Sequence, residues 1–217
     1  MVSLILFGRL PSAGKVKTRL ARSLGEEQAA EFYRLCVENV FQESARLPEN
    51  VQRYFAYSGT SDSAEVQRWV GPQFHLFAQT EGDLGRRLEH AFDIVFSRGA
   101  QKAVIVATDV PELSADTLQC AIRALDSCDI VLGPCPDGGY YLLGTKQLHR
   151  ELFADIPWST DQVLDGTLKT IRRLRLSLHL LPMLPDIDTG EDLRRWRSEP
   201  AARGSHPIHA FVRSLDL

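Results

Sequence analysis

Four short segments carry the residues whose types and spacing could do chemistry. In the first, Gly8-Arg9-Leu10-Pro11-Ser12-Ala13-Gly14-Lys15-Val16-Lys17-Thr18-Arg19-Leu20, two glycines allow close backbone approach. Arg9, Lys15, Lys17 and Arg19 add four cations within eleven residues. The segment follows an apolar run and leads into a helix, which puts it at the carboxyl edge of a sheet, where free N–H groups at a helix start also attract an anion. That is the chemistry of a diphosphate cradle. It is no Walker A loop: Gly8 and Gly14 bracket one residue too many, and Val16 stands where a magnesium-binding Ser or Thr would be. The competing reading is a solvated basic loop.

The second segment, Ala107-Thr108-Asp109-Val110-Pro111, delivers Asp109 from the end of an apolar run to the same edge. A carboxylate there can hold Mg²⁺ or Mn²⁺ against phosphate oxygens, since hard cations take oxygen ligands; an Asp after a strand can also simply close a turn. In the third, Gly133 to Gly144, Asp137-Gly138-Gly139 is a hairpin signal, while the open backbone and the adjacent Tyr140 and Tyr141 would suit a sugar or base. The fourth, Pro185 to Leu193, sets Asp186 and Asp188 two apart, on one side if extended. Thr189 or Gly190 could open a helix there, with Glu191 and Asp192 in its first turn. Ser159 and Thr160, after Trp158, precede another helical stretch and are read as its caps first and as ligands second.

Short apolar runs alternating with amphipathic stretches must position these residues, the pattern of a mainly parallel sheet flanked by helices. The strands expected are Val2–Phe7, Gln52–Tyr57, His75–Ala78, Ala103–Ala107, Ile130–Leu132, Tyr140–Gly144 and Ser177–Leu181. Helices are expected over Glu27–Ala45, Leu84–Phe96, Ala115–Leu125 (capped by Ser114), Asp161–Leu174 and Glu191–Arg197. Along Glu27–Ala45, the residues Ala30, Tyr33, Val37, Val40 and Phe41 form one apolar face.

The 217 residues, 44% hydrophobic and 24% charged, fit one α/β domain spanning 1–217. A net charge of -3 argues against a nucleic-acid partner. No run approaches the ~20 apolar residues that span a bilayer, so no membrane partner is expected. Cys36, Cys120, Cys128 and Cys135 form no C-x-x-C pair, and with no signal segment the expected location is cytoplasmic. The histidines show no paired metal spacing.

Taken together and in order, the segments resemble a bacterial family of glycosyltransferase-A-like proteins. Its members are associated with radical-SAM or selenium-domain proteins and in some cases with arsenosugar biosynthesis. The matching motifs are Pro11 to Leu20, Thr108 to Pro111, Gly133 to Gly144, Trp158 to Thr160 and Asp186 to Leu193. More distantly the chain is similar to guanylyltransferases of cofactor biosynthesis. Val110 stands where relatives often carry Cys, and Cys135 where a small residue is usual. The resemblance implies a Rossmann-like three-layer α/β/α fold of the nucleotide-diphospho-sugar transferase type. It further implies Asp109 as the metal-binding acid, Asp188 completing the metal shell, and Lys15, Lys17 and Arg19 on phosphates.

Gly8, Arg9, Gly14, Thr108, Gly138, Gly139, Tyr140, Trp158, Ser159 and Thr160 complete the candidate substrate contacts, and Asp137 is the candidate general base. The expected reaction is glycosyl transfer from a nucleotide-sugar to a small acceptor with Mg²⁺ or Mn²⁺. Nucleotidyl transfer from an NTP, releasing pyrophosphate, is the first alternative, and nucleotide-sugar binding without turnover the second. Monomer and homodimer remain equally compatible with the sequence.

Overall fold

The computed structural model describes residues 1–58, 62–199 and 206–216. Seven strands, β1 (Val2–Arg9), β2 (Val51–Ser58), β3 (His75–Ala78), β4 (Lys102–Ala107), β5 (Ile130–Pro134), β6 (Tyr140–Thr145) and β7 (Leu178–Leu180), form one sheet in the order β3-β2-β1-β4-β6-β5-β7. All neighbours run parallel except β6, which is antiparallel to both β4 and β5. The hairpin signal before β6 explains the reversal. Gly139 donates its N–H to Asp137 Oδ1 at 2.8 Å, and Cys135 donates its own to the Gly139 carbonyl at 3.0 Å.

Eight α-helices are found among the described residues: α1 (Thr18–Leu24), α2 (Glu26–Ala45), α3 (Ser63–Val70), α4 (Leu84–Ser97), α5 (Ala115–Ala124), α6 (Val163–Arg173), α7 (Gly190–Ser198) and α8 (Pro207–Ser214). Strand side chains alternate between the faces. Leu4, Leu6, Val104 and Val106 pack with Val37 and Val40 of α2 and Leu118 of α5. Ile5, Ala103 and Ile105 pack with Leu88 and Phe92 of α4 and Ile171 of α6. With both faces covered, the central strands read as continuous apolar runs rather than alternating ones. The result is the three-layer α/β/α arrangement expected of the nucleotide-diphospho-sugar transferase fold.

Three local expectations need correction. The helix expected from Asp161 starts at Val163, with Gln162 in the cap position and no side-chain cap. Ser159 and Thr160 do not cap it. Thr160 Oγ1 donates to the Pro157 carbonyl at 2.6 Å and accepts the Gln162 N–H at 3.2 Å, so its hydroxyl closes a turn before the helix. Helices α1, α3 and α8 are not among the helices expected, because each spans only seven or eight residues and buries too few positions to show a period. Finally, α2 buries two faces. Beside the predicted one, Ala29, Phe32 and Cys36 form a third apolar cluster with Leu193 and Trp196 of α7 and Ile208 and Val212 of α8.

Trp196 anchors that third cluster: it is 1% exposed and stacks on His209 with centroids 5.4 Å apart. Trp196→Ala is expected to lower the unfolding free energy by about 3–5 kcal/mol, the cost of emptying a fully packed aromatic site. Urea unfolding of both proteins checks this, and coincident midpoints would contradict the docking of α7 and α8 described above.

Candidate functional site

From β1 the chain winds outward through β2 to β3, then starts afresh on the other side at β4. Loops leaving the carboxyl ends of β1 and β4 therefore diverge, and the crevice between them is where this architecture takes ligands. A cleft of about 550 Å³ opens there. Its floor is Gly8, Thr108 and Asp109, its basic rim Arg9, Lys15 and Arg19, and its far side Ser58, Gln79 and Leu84. Gly8 has to be glycine: a Cβ would stand 2.7 Å from Thr108 Oγ1 and 3.1 Å from the Tyr33 hydroxyl.

The floor is tied together from α2. Tyr33, buried, places its hydroxyl 3.0 Å from Thr108 Oγ1 and accepts the Arg9 N–H at 3.1 Å. Burial pushes the Tyr33 phenol above its ordinary range, so it stays protonated. Six residues on, Asn39 Nδ2 donates to the Pro111 and Leu113 carbonyls and fixes the loop after β4 that carries Asp109.

At the centre lies an ion triad. Lys17 Nζ donates to Asp109 Oδ2 at 2.9 Å and to Asp188 Oδ1 at 2.6 Å, and the Lys17 side chain is only 5% exposed. Burial alone would drive the proton off Lys17, yet the charges and hydrogen bonds of Asp109 and Asp188 hold its pKa above the ordinary lysine range. Burial likewise opposes ionisation of Asp109, but Lys17, with Arg9 behind it, keeps that carboxyl below the usual range. Arg19 Nη1 stands 3.9 Å from Asp188 Oδ2 at the mouth. Asp188 is held by the start of α7, where Thr189 and Asp192 form a reciprocal capping box. The helix opening read in the sequence and the ligand role of Asp188 are therefore compatible.

A second cleft of about 220 Å³ adjoins the first and shares Arg19 and Asp188 with it. Asp137 and Asp186 line it, while Ile187 between the two acids is 0% exposed, as extended alternation requires. Burial first, then Asp137, Asp109 and Asp188, pushes Asp186 up to about 6. Ligand atoms of Cys135, Asp137 and Asp186 lie within 4.8 Å of one another, the one such group of three among the described residues. Burial, with Asp186, Asp137 and Asp109 nearby, raises the Cys135 thiol well above its ordinary range, which disfavours the thiolate that a metal would need.

Of the residues singled out in the sequence, Gly8, Arg9, Lys15, Lys17, Arg19, Thr108, Asp109, Ser159 and Asp188 meet in the main cleft. Lys17, expected on phosphate, is held by the two acids. Asp137 stands in the second cleft, and Gly14, Gly138, Gly139, Tyr140, Trp158 and Thr160 lie outside the lining of the first. Gly138, at φ +87°, packs where a Cβ would meet the Asp161 carbonyl at 2.0 Å, and Trp158 lies where a Cβ on Gly85 would be. Tyr141 rather than Tyr140 is the fully buried tyrosine of the pair and donates to the Pro182 carbonyl at 3.0 Å. Sequence reading missed Ser58, Gln79 and Arg87, and took Tyr33 for a core residue only. The usable signal was position: Ser58 and Gln79 are polar residues at the carboxyl ends of their strands.

A bacterial family described as "uncharacterized protein conserved in bacteria (DUF2064)" matches residues 42–160. Among solved structures, the chain is similar to a Desulfovibrio desulfuricans G20 protein provisionally named a nucleotide-diphospho-sugar transferase. The TM-score is 0.88 at 34% identity, over 97% of this chain and 94% of that one. A cytidylyltransferase from Leptospira borgpetersenii serovar Hardjo-bovis (strain JB197) shares the fold with a TM-score of 0.59 at 14% identity, over 98% and 92% of the two chains. So does Rv0371c from Mycobacterium tuberculosis H37Rv, in a complex with manganese, with a TM-score of 0.52 at 15% identity, over 89% and 96%. No curated protein matches the chain significantly. Among the described residues no helix is long and apolar enough to cross a membrane.

Two outcomes follow from the charges. Lys17→Met leaves both carboxylates without their shared partner and is expected to cost about 1–3 kcal/mol, with part of the loss recovered in Lys17→Met/Asp109→Asn. Denaturant unfolding of the four proteins measures this, and strictly additive effects would mean the bridge contributes nothing. Asp186 has a folded pKa above its ordinary 3.8, so its stabilising contribution is full below 3.8 and disappears as pH rises through about 6. In chelator, Asp186→Asn should therefore gain in melting temperature over wild type between pH 5 and pH 8. A difference that does not change with pH would contradict the shift.

Proposed function

The chain belongs to the bacterial family described above, and on that premise we propose that it is a metal-dependent glycosyltransferase that moves a sugar from a nucleotide-sugar to a small acceptor. One observation carries this reading. Two carboxylates from distant segments converge on a single buried cation position, beside a basic rim, at the topological switch point. The name of the 34%-identical relative supports a nucleotide-sugar as the donor.

The donor set suits a divalent ion. Asp109 and Asp188 offer oxygen ligands, the Lys17 ammonium already stands between them as a cation, and Mg²⁺ or Mn²⁺ commonly takes one or two carboxylates together with substrate phosphates. Such an ion would supply charge neutralisation at the departing nucleoside diphosphate. Lys17, released from the acids, would then reach the phosphates that the sequence assigned to it, with Lys15, Arg9 and Arg19 completing the grip. Arg9, Lys15 and Arg19 act through preorganised charge: they line the cleft before negative charge develops on the leaving group. The second cleft, sharing Arg19 and Asp188 with the first, is the place for the acceptor, and Asp137 on its wall is the candidate base.

Asp109→Asn is expected to reduce turnover by about 10²–10³, roughly 2.7–4 kcal/mol, with the fold retained. The assay is release of nucleoside diphosphate from a nucleotide-sugar panel with Mg²⁺ or Mn²⁺. A folded Asp109→Asn protein with undiminished turnover would remove Asp109 from its role. Pyrophosphate released from an NTP would replace glycosyl by nucleotidyl transfer, and metal-dependent binding without product from any acceptor would leave a sensor.

A further inference from the structure

The ion triad sets one positive charge against two negative ones. Lys17 Nζ donates to Asp188 Oδ1 at 2.6 Å and to Asp109 Oδ2 at 2.9 Å, so the ammonium fills the point where the two carboxylates converge. The other oxygen of Asp188 faces Arg19, whose Nη1 is 3.9 Å away at the mouth. A divalent cation approaching the acids is therefore opposed by Lys17 on one side and by Arg19 on the other. Like charges this close repel strongly where water is scarce, and the Lys17 side chain is 5% exposed.

Lys17 can leave that point only if its charge is met elsewhere, because a largely buried ammonium stripped of its counter-ions is strongly disfavoured. The protein offers no second berth for it inside the main cleft. Among the described residues that line this cleft, the acids are Asp109 and Asp188 alone. Asp137 and Asp186 stand in the second cleft, which Lys17 does not line. The replacement counter-ion must then come with the ligand. A diphosphate supplies it: the cleft holds Arg9, Lys15 and Arg19 beside Lys17, so the anion can enter while the triad is still closed. The reverse order strands Lys17.

Resting on the metal-dependent reading above, we infer that Lys17 is a resident counter-ion that keeps free divalent metal out of the cleft until a diphosphate takes over its charge. The ligand of this cleft is then the metal–diphosphate pair, never the metal alone. Lys17 exchanges two carboxylates for phosphate oxygens, the acids exchange the ammonium for the dication, and no charge is left unmatched. Linkage is reciprocal, so the factor by which diphosphate tightens metal binding is the factor by which metal tightens diphosphate binding. Direct contact between metal and phosphate also couples the two. What identifies this device is the dependence on Lys17 when no diphosphate is present.

Mn²⁺ titrated into the full-length protein without nucleotide, followed by the electron paramagnetic resonance of the unbound ion, tests this. Lys17→Met keeps an unbranched side chain and removes the charge, and it is expected to bind Mn²⁺ about tenfold or more tighter than wild type. Affinities within twofold, or weaker binding by folded Lys17→Met, would overturn the inference and leave the metal site standing. If Lys17→Met does not fold, the NMR signal of the Lys17 ammonium in wild type decides. Mg²⁺ with pyrophosphate should shift it and Mg²⁺ alone should not; a shift with Mg²⁺ alone, or none with both, contradicts the inference. Should neither protein take up Mn²⁺, and should Mg²⁺ with pyrophosphate leave the melting temperature of wild type unchanged, the metal-dependent reading itself falls and takes this inference with it.

Discussion

A single buried ammonium organises this molecule's working edge. Lys17 comes from the loop after the first strand, Asp109 from the end of the fourth, and Asp188 from the segment that opens α7, so one cation joins parts of the chain far apart in sequence. Taking an ammonium out of water costs several kcal/mol unless its charge is met by well-placed partners. Here two carboxylates meet it, and each keeps some water contact, with side-chain exposures of 31% and 41%. The bridge also explains a backbone peculiarity. Lys17 adopts φ +46°, a left-handed conformation that costs a side-chain-bearing residue about 1–2 kcal/mol and persists only where surrounding contacts impose it. Because α1 starts immediately afterwards, that kink also sets the direction in which Arg19 projects.

Everything that supports the triad works by satisfying backbone groups near it. Tyr33 and Asn39, six residues apart on α2, hold the starts of the loops after β1 and β4. The Thr189–Asp192 capping box holds the entry to α7. Removing any one of these would leave the acids in place but blur their separation. Electrostatic preorganisation depends on that separation, since a charge that must first be oriented loses much of its effect.

Much of this was legible in the chain because it rests on local signals. Continuous apolar runs mark the covered parallel strands, and all seven were placed to within one or two residues at most ends. The Gly8-to-Leu20 loop, Asp109 and Asp188 followed from their position after strands or from family likeness, and the cleft unites them. What escaped depends on tertiary neighbours. The second buried face of α2 exists only because α7 and α8 dock on it, and α8 is too short to announce itself. Lys17 looked like one more phosphate ligand, since no sequence rule says which of four nearby cations will find itself between two acids. Gln79 was invisible for a similar reason: its place on the cleft wall comes from carbonyls of β1 and β2, separated from it by 71 and 23 positions.

The arrangement of the two clefts bears on the kind of chemistry proposed. A protein that only binds a nucleotide-sugar needs one crevice with a basic rim and a cation position. This chain has a second, acidic crevice whose wall is continuous with the first through Arg19 and Asp188. Ile187, fully buried, anchors the backbone between Asp186 and Asp188, so the two acids rise from one fixed stretch of chain. Group transfer requires a donor and an acceptor that meet at one boundary without exchanging places. Under the proposed transfer, a short extended segment with an apolar residue buried between two carboxylates would supply such a boundary, because each crevice has one of the two acids on its wall.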